Sequence, residues 1–229
     1  PAAILAPAIE GTRNVLEVAR RIRVSRLVFT SSCDAVGFSV DATPLDEIVA
    51  TNRRQNPTAP LPQLLESPHE RRVVDVTRYD QVLAACRGMD AAINATVLRD
   101  HPEKAFAVNA IGAFNVARAA AQCGLQRLIH TGPFHTVLRH SADSWHDHDV
   151  PDEIPLHPGD DLYALTKYLG GQITRVFAER RGLEVITYLF CGFRPRAIQP
   201  EERGRGVGPF TVSWEDTGRA FLAGLGGER

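Results

Sequence analysis

Apolar positions along the chain follow two alternating rhythms. From about Ile9 to Ile22 they recur with helical spacing, with Val15, Leu16, Val18, Ala19 and Ile22 forming a stripe on a predicted helix. After polar Arg23 and Ser25, the strand formers Leu27-Val28-Phe29 lead into Thr30-Ser31-Ser32. The same order returns downstream. Ile48-Val49-Ala50 reads as a short strand, Arg72-Val73-Val74 leads to Asp75, Tyr79 to Cys86 reads as a helix stopped by Gly88, and Ala91 to Ala95 as a buried strand. Glu103 to Gln122 is the next predicted helix, with Gly124 as its stop and Leu128-Ile129-His130 as the strand behind it. Leu162 to Arg181 is helical in pattern, carrying Leu165, Leu169, Ile173 and Phe177; Gly182 ends it, and Leu183 to Phe190 supplies another apolar strand. Apolar strands separated by helices long enough to cross over predict an α/β fold, a parallel sheet with helices on both faces.

Two stretches of this pattern are copies of one another at an offset of 101 residues. GTRNVLEVARRIRVSRLVFTSS lies over GAFNVARAAAQCGLQRLIHTGP without a gap. Gly11, Asn14, Val15, Ala19, Arg26, Leu27 and Thr30 recur as Gly112, Asn115, Val116, Ala120, Arg127, Leu128 and Thr131. Matched alanines could come from any two amphipathic helices, but matched Gly, Asn, Arg and Thr point to a helix–strand unit used twice; two copies are too few for a solenoid. The proline-rich NPTAPLPQ from Asn56 to Gln63 reads as an exposed linker. The segment from Arg139 to Asp160, rich in Asp, His and Pro, is expected to lie over an edge or cleft as an irregular insertion.

Composition narrows the function classes. The 229 residues carry 26 basic and 27 acidic side chains, so a globally basic nucleic-acid or anionic-membrane binder is excluded. No run of eighteen apolar residues predicts a membrane-spanning helix. Glu10, Arg13 and Glu17 interrupt the apolar residues near the start in a way that suits a helix on a soluble domain and not a secretion signal. Cys33, Cys86, Cys123 and Cys191 are scattered without a C-x-x-C pair, which fits buried thiols in a reducing compartment and a cytoplasmic location.

The chemistry-bearing pattern is Tyr163-Ala164-Leu165-Thr166-Lys167 on a predicted helix. A spacing of four places phenol and ammonium on one helical face. An ammonium beside a phenol stabilises the phenolate, so the pair suits proton transfer, and Lys167 could also hold a cofactor hydroxyl. An ordinary solvated surface pair is the rival reading. Six of the eight histidines lie between His130 and His157, including His146-Asp147-His148-Asp149. Adjacent polar residues on a loop point in different directions, so a solvated loop is expected there and no metal site is assigned.

Taken in order, VVDVTRYDQVLAACRGMDAAINAT, NAIGAFNVARAAAQCGLQRLIHT, YALTKYLGG and GLEVITYLF resemble the NAD-dependent epimerase/dehydratase family of extended short-chain dehydrogenases/reductases. The similarity covers roughly Val73 to Phe193, and PFTVSWEDTGRAFLAGL resembles the later return from the family's substrate region. The resemblance implies a Rossmann-like sheet, NAD or NADP as cofactor, and transient hydride transfer at a sugar or other secondary alcohol by an epimerase, dehydratase or reductase. The substrate would be a small molecule, with a nucleotide sugar among the candidates, and the assembly a possible homodimer. Residue by residue, the resemblance puts Asp75 near the adenine, Ala95 and Thr96 along the dinucleotide, and Asn109 near the nicotinamide. Tyr163 becomes the acid/base and Lys167 its electrostatic partner and ribose contact. Asp75 as a local cap, Thr96 as a strand-end residue and Asn109 as a partner of nearby amides remain open. Arg53, with Arg54, is a candidate for a 2′-phosphate; a solvated arginine pair is its alternative.

Against the family pattern, no glycine-rich phosphate turn follows a first strand, and GRGVG at Gly204 to Gly208 reads as a substrate-side loop. Pro133 stands where the family has its hydroxyl helper, leaving Thr131 or Thr136 as substitutes after that strand. Ser32 occupies the helper position in the first copy, which lacks a Tyr-x-x-x-Lys at the expected distance. One copy thus keeps the serine and the other the Tyr163–Lys167 pair, and only the fold or a partner subunit could bring them together. These features divide the chain into a partial repeat over 1–50, a dinucleotide-binding domain over 51–193 and a partial substrate-side segment over 194–229, incomplete relative to the family. They also leave a noncatalytic dinucleotide-binding sensor or structural protein as the alternative. Two readings remain for the absent first strand: material of a longer protein lies outside this chain, or the first copy stands in for it.

Overall fold

A computed structural model of the chain describes residues 26–30, 47–52, 70–99, 101–133, 162–190, 192–194 and 211–226. Six strands make one sheet: β1 (Arg26–Thr30), β2 (Glu47–Asn52), β3 (Glu70–Val73), β4 (Ala91–Asn94), β5 (Arg127–Pro133) and β6 (Glu184–Phe190). All of their pairings are parallel, in the order β3-β2-β1-β4-β5-β6. This is the doubly wound order whose crevice lies at the carboxyl ends of the middle strands. A second, two-stranded sheet pairs β7 (Gly192–Arg194) with β8 (Thr211–Ser213).

The centre of the sheet is β1, from the first copy of the repeat. It pairs with β2 on one side and β4 on the other. A strand of the first copy thus fills the slot between β2 and β4. A parallel sheet interrupted there would leave rows of N–H and C=O groups unpaired on both neighbours. The boundary set at residue 50 falls inside β2.

Helix α1 (Tyr79–Cys86) buries Val82, Ala85 and Cys86, and Asp80 in its first turn favours the helix dipole. Helix α2 (Pro102–Phe106) opens with proline, whose missing N–H costs nothing at that end. It continues through a π-helical segment, Ala107–Ile111, into α3 (Gly112–Cys123). The expected single helix over 103–122 therefore contains a local widening, centred on buried Asn109. Gly124 ends α3 in the left-handed region at φ 70°, with the Leu125 N–H on the Ala120 carbonyl (2.9 Å) and the Gly124 N–H on that of Ala121 (3.3 Å), a Schellman closure. Helix α4 (Leu162–Arg181) has the predicted limits, and α5 (Trp214–Gly226) follows β8.

One face of the sheet carries α1, α3 and α4 over a core that includes Val49, Val82, Ala92, Val116, Ala120, Leu128 and Leu183. The other face carries α5, where Phe221 meets the Tyr188 ring edge-on and the Tyr188 hydroxyl donates to the Ala220 carbonyl at 2.6 Å. Helices thus cover both faces, as the apolar strands predicted. Arg127 joins the layers at the foot of β5: its guanidinium pairs with Glu184 at 2.7 Å and donates to the Gly224 carbonyl at 2.9 Å.

Candidate active site

The segment Ala95–Arg99 leaves the carboxyl end of β4 and is held by residues from two helices. Asn109, in the π-helical segment, clasps the main chain of Leu98: its Oδ1 accepts from the Leu98 N–H (3.0 Å) and its Nδ2 donates to the Leu98 carbonyl (2.8 Å). The same Nδ2 donates to Thr166 Oγ1 at 3.0 Å, which in turn donates to the Tyr163 carbonyl. Asn109 therefore ties the strand-end segment to the first turn of α4. The widened helix allows close packing here: a Cβ on Gly170 would lie 2.6 Å from the Asn109 carbonyl oxygen. π-helical insertions of this kind recur where a side chain must be aimed.

Tyr163 and Lys167 stand one turn apart at the start of α4, facing this segment. The Arg99 guanidinium lies over the Tyr163 ring, 5.1 Å from its centroid. Lys167 is 3% exposed, and its Nζ donates to the Thr96 carbonyl at 3.0 Å. Burial, and then the charge of Arg99, push its ammonium down to about 7 from an ordinary 10.5. An ammonium that gives up its proton near neutrality, beside a phenol at the carboxyl ends of the strands, suits proton transfer to and from a bound hydroxyl. Lys167 is thus not the solvated surface residue that the spacing alone also allowed.

The other candidates divide by what they touch. Thr96 is buried, its hydroxyl donating to Asn94 Oδ1 at 2.7 Å, while Ala95 beside it is half-buried. Asp75 follows β3 and turns inward on its own loop. Its Oδ1 accepts from the Thr77 N–H (2.9 Å) and hydroxyl (2.7 Å), and its N–H donates to Gln81. Thr131 is buried and its hydroxyl donates to the Asn94 carbonyl at 3.2 Å, bridging β5 to β4. Ser32, Arg53, Arg54, Thr136, the insertion at 139–160, the histidine–aspartate run and the Gly204–Gly208 loop lie outside the described residues.

Three residues of the site carried no functional signal as motifs: Asn94, Arg99 and His130. His130 was legible only as a polar residue inside an apolar strand; it is 1% exposed and aligned with Asn94 across the β4–β5 pairing. Burial, with the Lys167 charge adding to it, holds the imidazole well below its ordinary range.

The strand order is that of a Rossmann-type fold. The chain belongs to the NAD-dependent epimerase/dehydratase family, whose model matches residues 41–193; the model of the 3-beta hydroxysteroid dehydrogenase/isomerase family matches residues 2–64. The chain is 26% identical over 191 residues to a 3-beta-hydroxysteroid dehydrogenase of Mycolicibacterium neoaurum. That alignment takes in 78% of this chain and 49% of the relative, so the chain spans about half the relative's length. Its fold is similar to glucuronic acid dehydrogenase from Chromohalobacter salexigens (TM-score 0.68, 18% identity, 90% of this chain and 73% of that one). It is also similar to dTDP-glucose 4,6-dehydratase from Streptomyces venezuelae with NAD and TYD bound (TM-score 0.66, 17% identity, 89% and 73%). A third similar structure is UDP-N-acetylglucosamine 4-epimerase from Bacillus cereus (TM-score 0.62, 13% identity, 89% and 74%). No helix among the described residues is long and apolar enough to cross a membrane.

Proposed function

We propose that the protein is an NAD(P)-dependent epimerase, dehydratase or reductase acting on a sugar or other secondary alcohol. The observation that carries this reading is the buried Lys167 ammonium on the Thr96 carbonyl, one helical turn from Tyr163 at the carboxyl end of β4. The names of the relatives support it, since they include enzymes of sugars, of nucleotide sugars and of a steroid alcohol. A nucleotide sugar is one substrate within that class.

The residues present fit a dinucleotide: a buried cation and a half-buried phenol flank the segment after β4, at the crevice where such ligands lie. Ala95 and Thr96 would line it, Asp75 would lie toward the adenine, and Lys167 would hold a ribose hydroxyl; Arg53 is the candidate for the extra phosphate of NADP. When bound, the nicotinamide supplies a reversible hydride acceptor. Tyr163 moves the proton at the substrate's hydroxyl oxygen, and Lys167 stabilises the phenolate by its charge. Asn109 keeps the Ala95–Arg99 segment and the first turn of α4 in a fixed relation. Thr131 and Ser32 are the candidate hydroxyl helpers to the reacting oxygen. Phe106, Ile111 and Phe114, together with Leu165 and Val176, leave an exposed apolar face on adjoining helices, which supports a homodimer.

A noncatalytic dinucleotide sensor is the second reading, favoured by Pro133 at the end of β5 where the family has its helper. Calorimetric titration with NAD, NADH, NADP and NADPH, followed by turnover assays on a panel of sugars and ring alcohols, separates the two. The expected result is nucleotide binding by wild type and Tyr163→Phe alike, with turnover lowered about 10²–10⁴-fold in the variant. Binding without turnover by wild type favours the sensor, and absence of binding to every nucleotide overturns both.

A further inference from the structure

Behind Lys167 a buried chain of hydrogen bonds runs across β4 to β5. The Lys167 ammonium donates to the Thr96 carbonyl at 3.0 Å. Thr96 is held by Asn94, whose Oδ1 accepts from both the Thr96 N–H (3.3 Å) and the Thr96 hydroxyl (2.7 Å). A backbone N–H can only donate, so the Asn94 atom facing it is the oxygen. The amide nitrogen Nδ2 is thereby turned toward β5, 3.3 Å from His130 Nδ1. An amide nitrogen donates, so Nδ1 accepts and the imidazole carries its proton on Nε2. That second nitrogen is buried with no partner among the described residues. His130 and Lys167 both line a cavity of about 290 Å³ between α4 and strands β5 and β6, with Gln172, Arg175 and Thr187. Among the described residues, no carboxylate lines it.

We propose that His130 is a positioning residue for Lys167: the neutral imidazole holds Asn94, Asn94 holds Thr96, and the Thr96 carbonyl sets the ammonium against Tyr163. This rests on the reading of Lys167 as the partner of Tyr163. The chain of bonds works only with His130 neutral, because an imidazolium would turn an Nδ1–H against the Asn94 N–H and break the link. The groups arranged around it keep it so. Lys167 and Arg175 on α4 share its cavity, and Arg99 of the segment after β4 acts on Lys167; all three are cations, while the Tyr168 phenol also lines the cavity and Tyr163 stands one turn before Lys167. The imidazole is therefore a fixed acceptor and not a switch, and its role is to keep the lysine's carbonyl partner in place.

The test is nitrogen NMR of the His130 ring and the Lys167 Nζ in the protein without nucleotide. In wild type, the expected result is a neutral ring with its proton on Nε2 at neutral pH, and Lys167 titrating near 7. His130→Phe removes the acceptor, frees the Asn94 amide and lets the Thr96 carbonyl drift. The ammonium then loses a partner that favours its charged form, and its titration falls by on the order of one pH unit. His130→Gln, whose side-chain oxygen can accept from Asn94, restores most of the shift; a purely steric role for His130 would give no such rescue. A proton on Nδ1, an imidazolium in wild type at neutral pH, or an unmoved Lys167 in a folded His130→Phe protein overturns the proposal. The tautomer measurement needs no variant, so it stands even where His130→Phe fails to fold. Nucleotide titration of wild type fails independently if the cofactor reading is wrong, since the His130–Lys167 linkage is read with no nucleotide present.

Discussion

The two copies of the repeat end up on opposite sides of the same strand. β1 pairs with β4 from one flank and β5 pairs with it from the other, yet the registers differ by one residue: Phe29 stands opposite Ile93, and its counterpart His130 stands opposite Asn94. A one-residue shift exchanges the two faces of a strand, so equivalence in sequence does not carry over to equivalence of position. Each copy nevertheless opens in the same way, with Arg26 in register with Glu47 and Arg127 in register with Glu184. The shared residues of the second copy have visible work: Asn115 donates to the Val76 carbonyl at 2.8 Å, and Arg127 bridges Glu184 and Gly224. The comparison teaches that one repeated strand can serve as a sheet's centre or as its outer part, depending on which neighbours remain to be paired.

The largest test of this difference is Val28→Pro. β1 uses its backbone on both flanks, so a proline there breaks a ladder in the sheet's centre and should cost more than about 3 kcal/mol, abolishing a cooperative melt followed by circular dichroism. Retention of a normal melt would remove β1 from the centre. Next in size, Asn115→Ala strands the buried Val76 carbonyl and should lower stability by about 1–3 kcal/mol in urea unfolding, with the slope of the transition unchanged. A loss well below that range would mean that the second copy is not held by its shared asparagine.

The smallest effect, taken per pH unit, concerns the chemistry that only the second copy's side carries. Lys167 is depressed in the folded protein, so between about 7 and its ordinary 10.5 the unfolded chain binds the extra proton. Stability from this group therefore rises with pH across that window, by at most about 1.4 kcal/mol per pH unit. Urea midpoints of wild type and Lys167→Met, compared at several pH values from neutral upward, should diverge in favour of wild type as pH increases. Parallel curves would mean that the lysine is not held in a desolvated place.

Much of the architecture was legible because it depends on local signals. The limits of α4 were read correctly, since an apolar stripe fills its length and Gly182, at φ 66°, supplies the left-handed stop. Strand β5 runs on to Pro133, past its predicted end at His130, because β6 continues alongside it as far as Phe190. The π-helical widening at 107–111 had no signature, because it is fixed by Asn109 reaching Leu98 and Thr166, which are distant in the chain. Tyr163 and Lys167 were visible through a spacing within one helix. Asn94, Arg99 and His130 were not, because their roles arise where the end of β4, the body of β5 and the start of α4 converge.

By itself the sequence determined the kinds of element, the parallel sheet and the phenol–ammonium pair, since period, turn residues and an i, i+4 spacing act within a few residues of one another. Only the tertiary structure decided that the first copy occupies the sheet's centre, because that depends on which backbone edges are left to be paired. It also decided that Lys167 releases its proton near neutrality, because desolvation and the approach of Arg99 are properties of packing between segments some seventy residues apart in the chain.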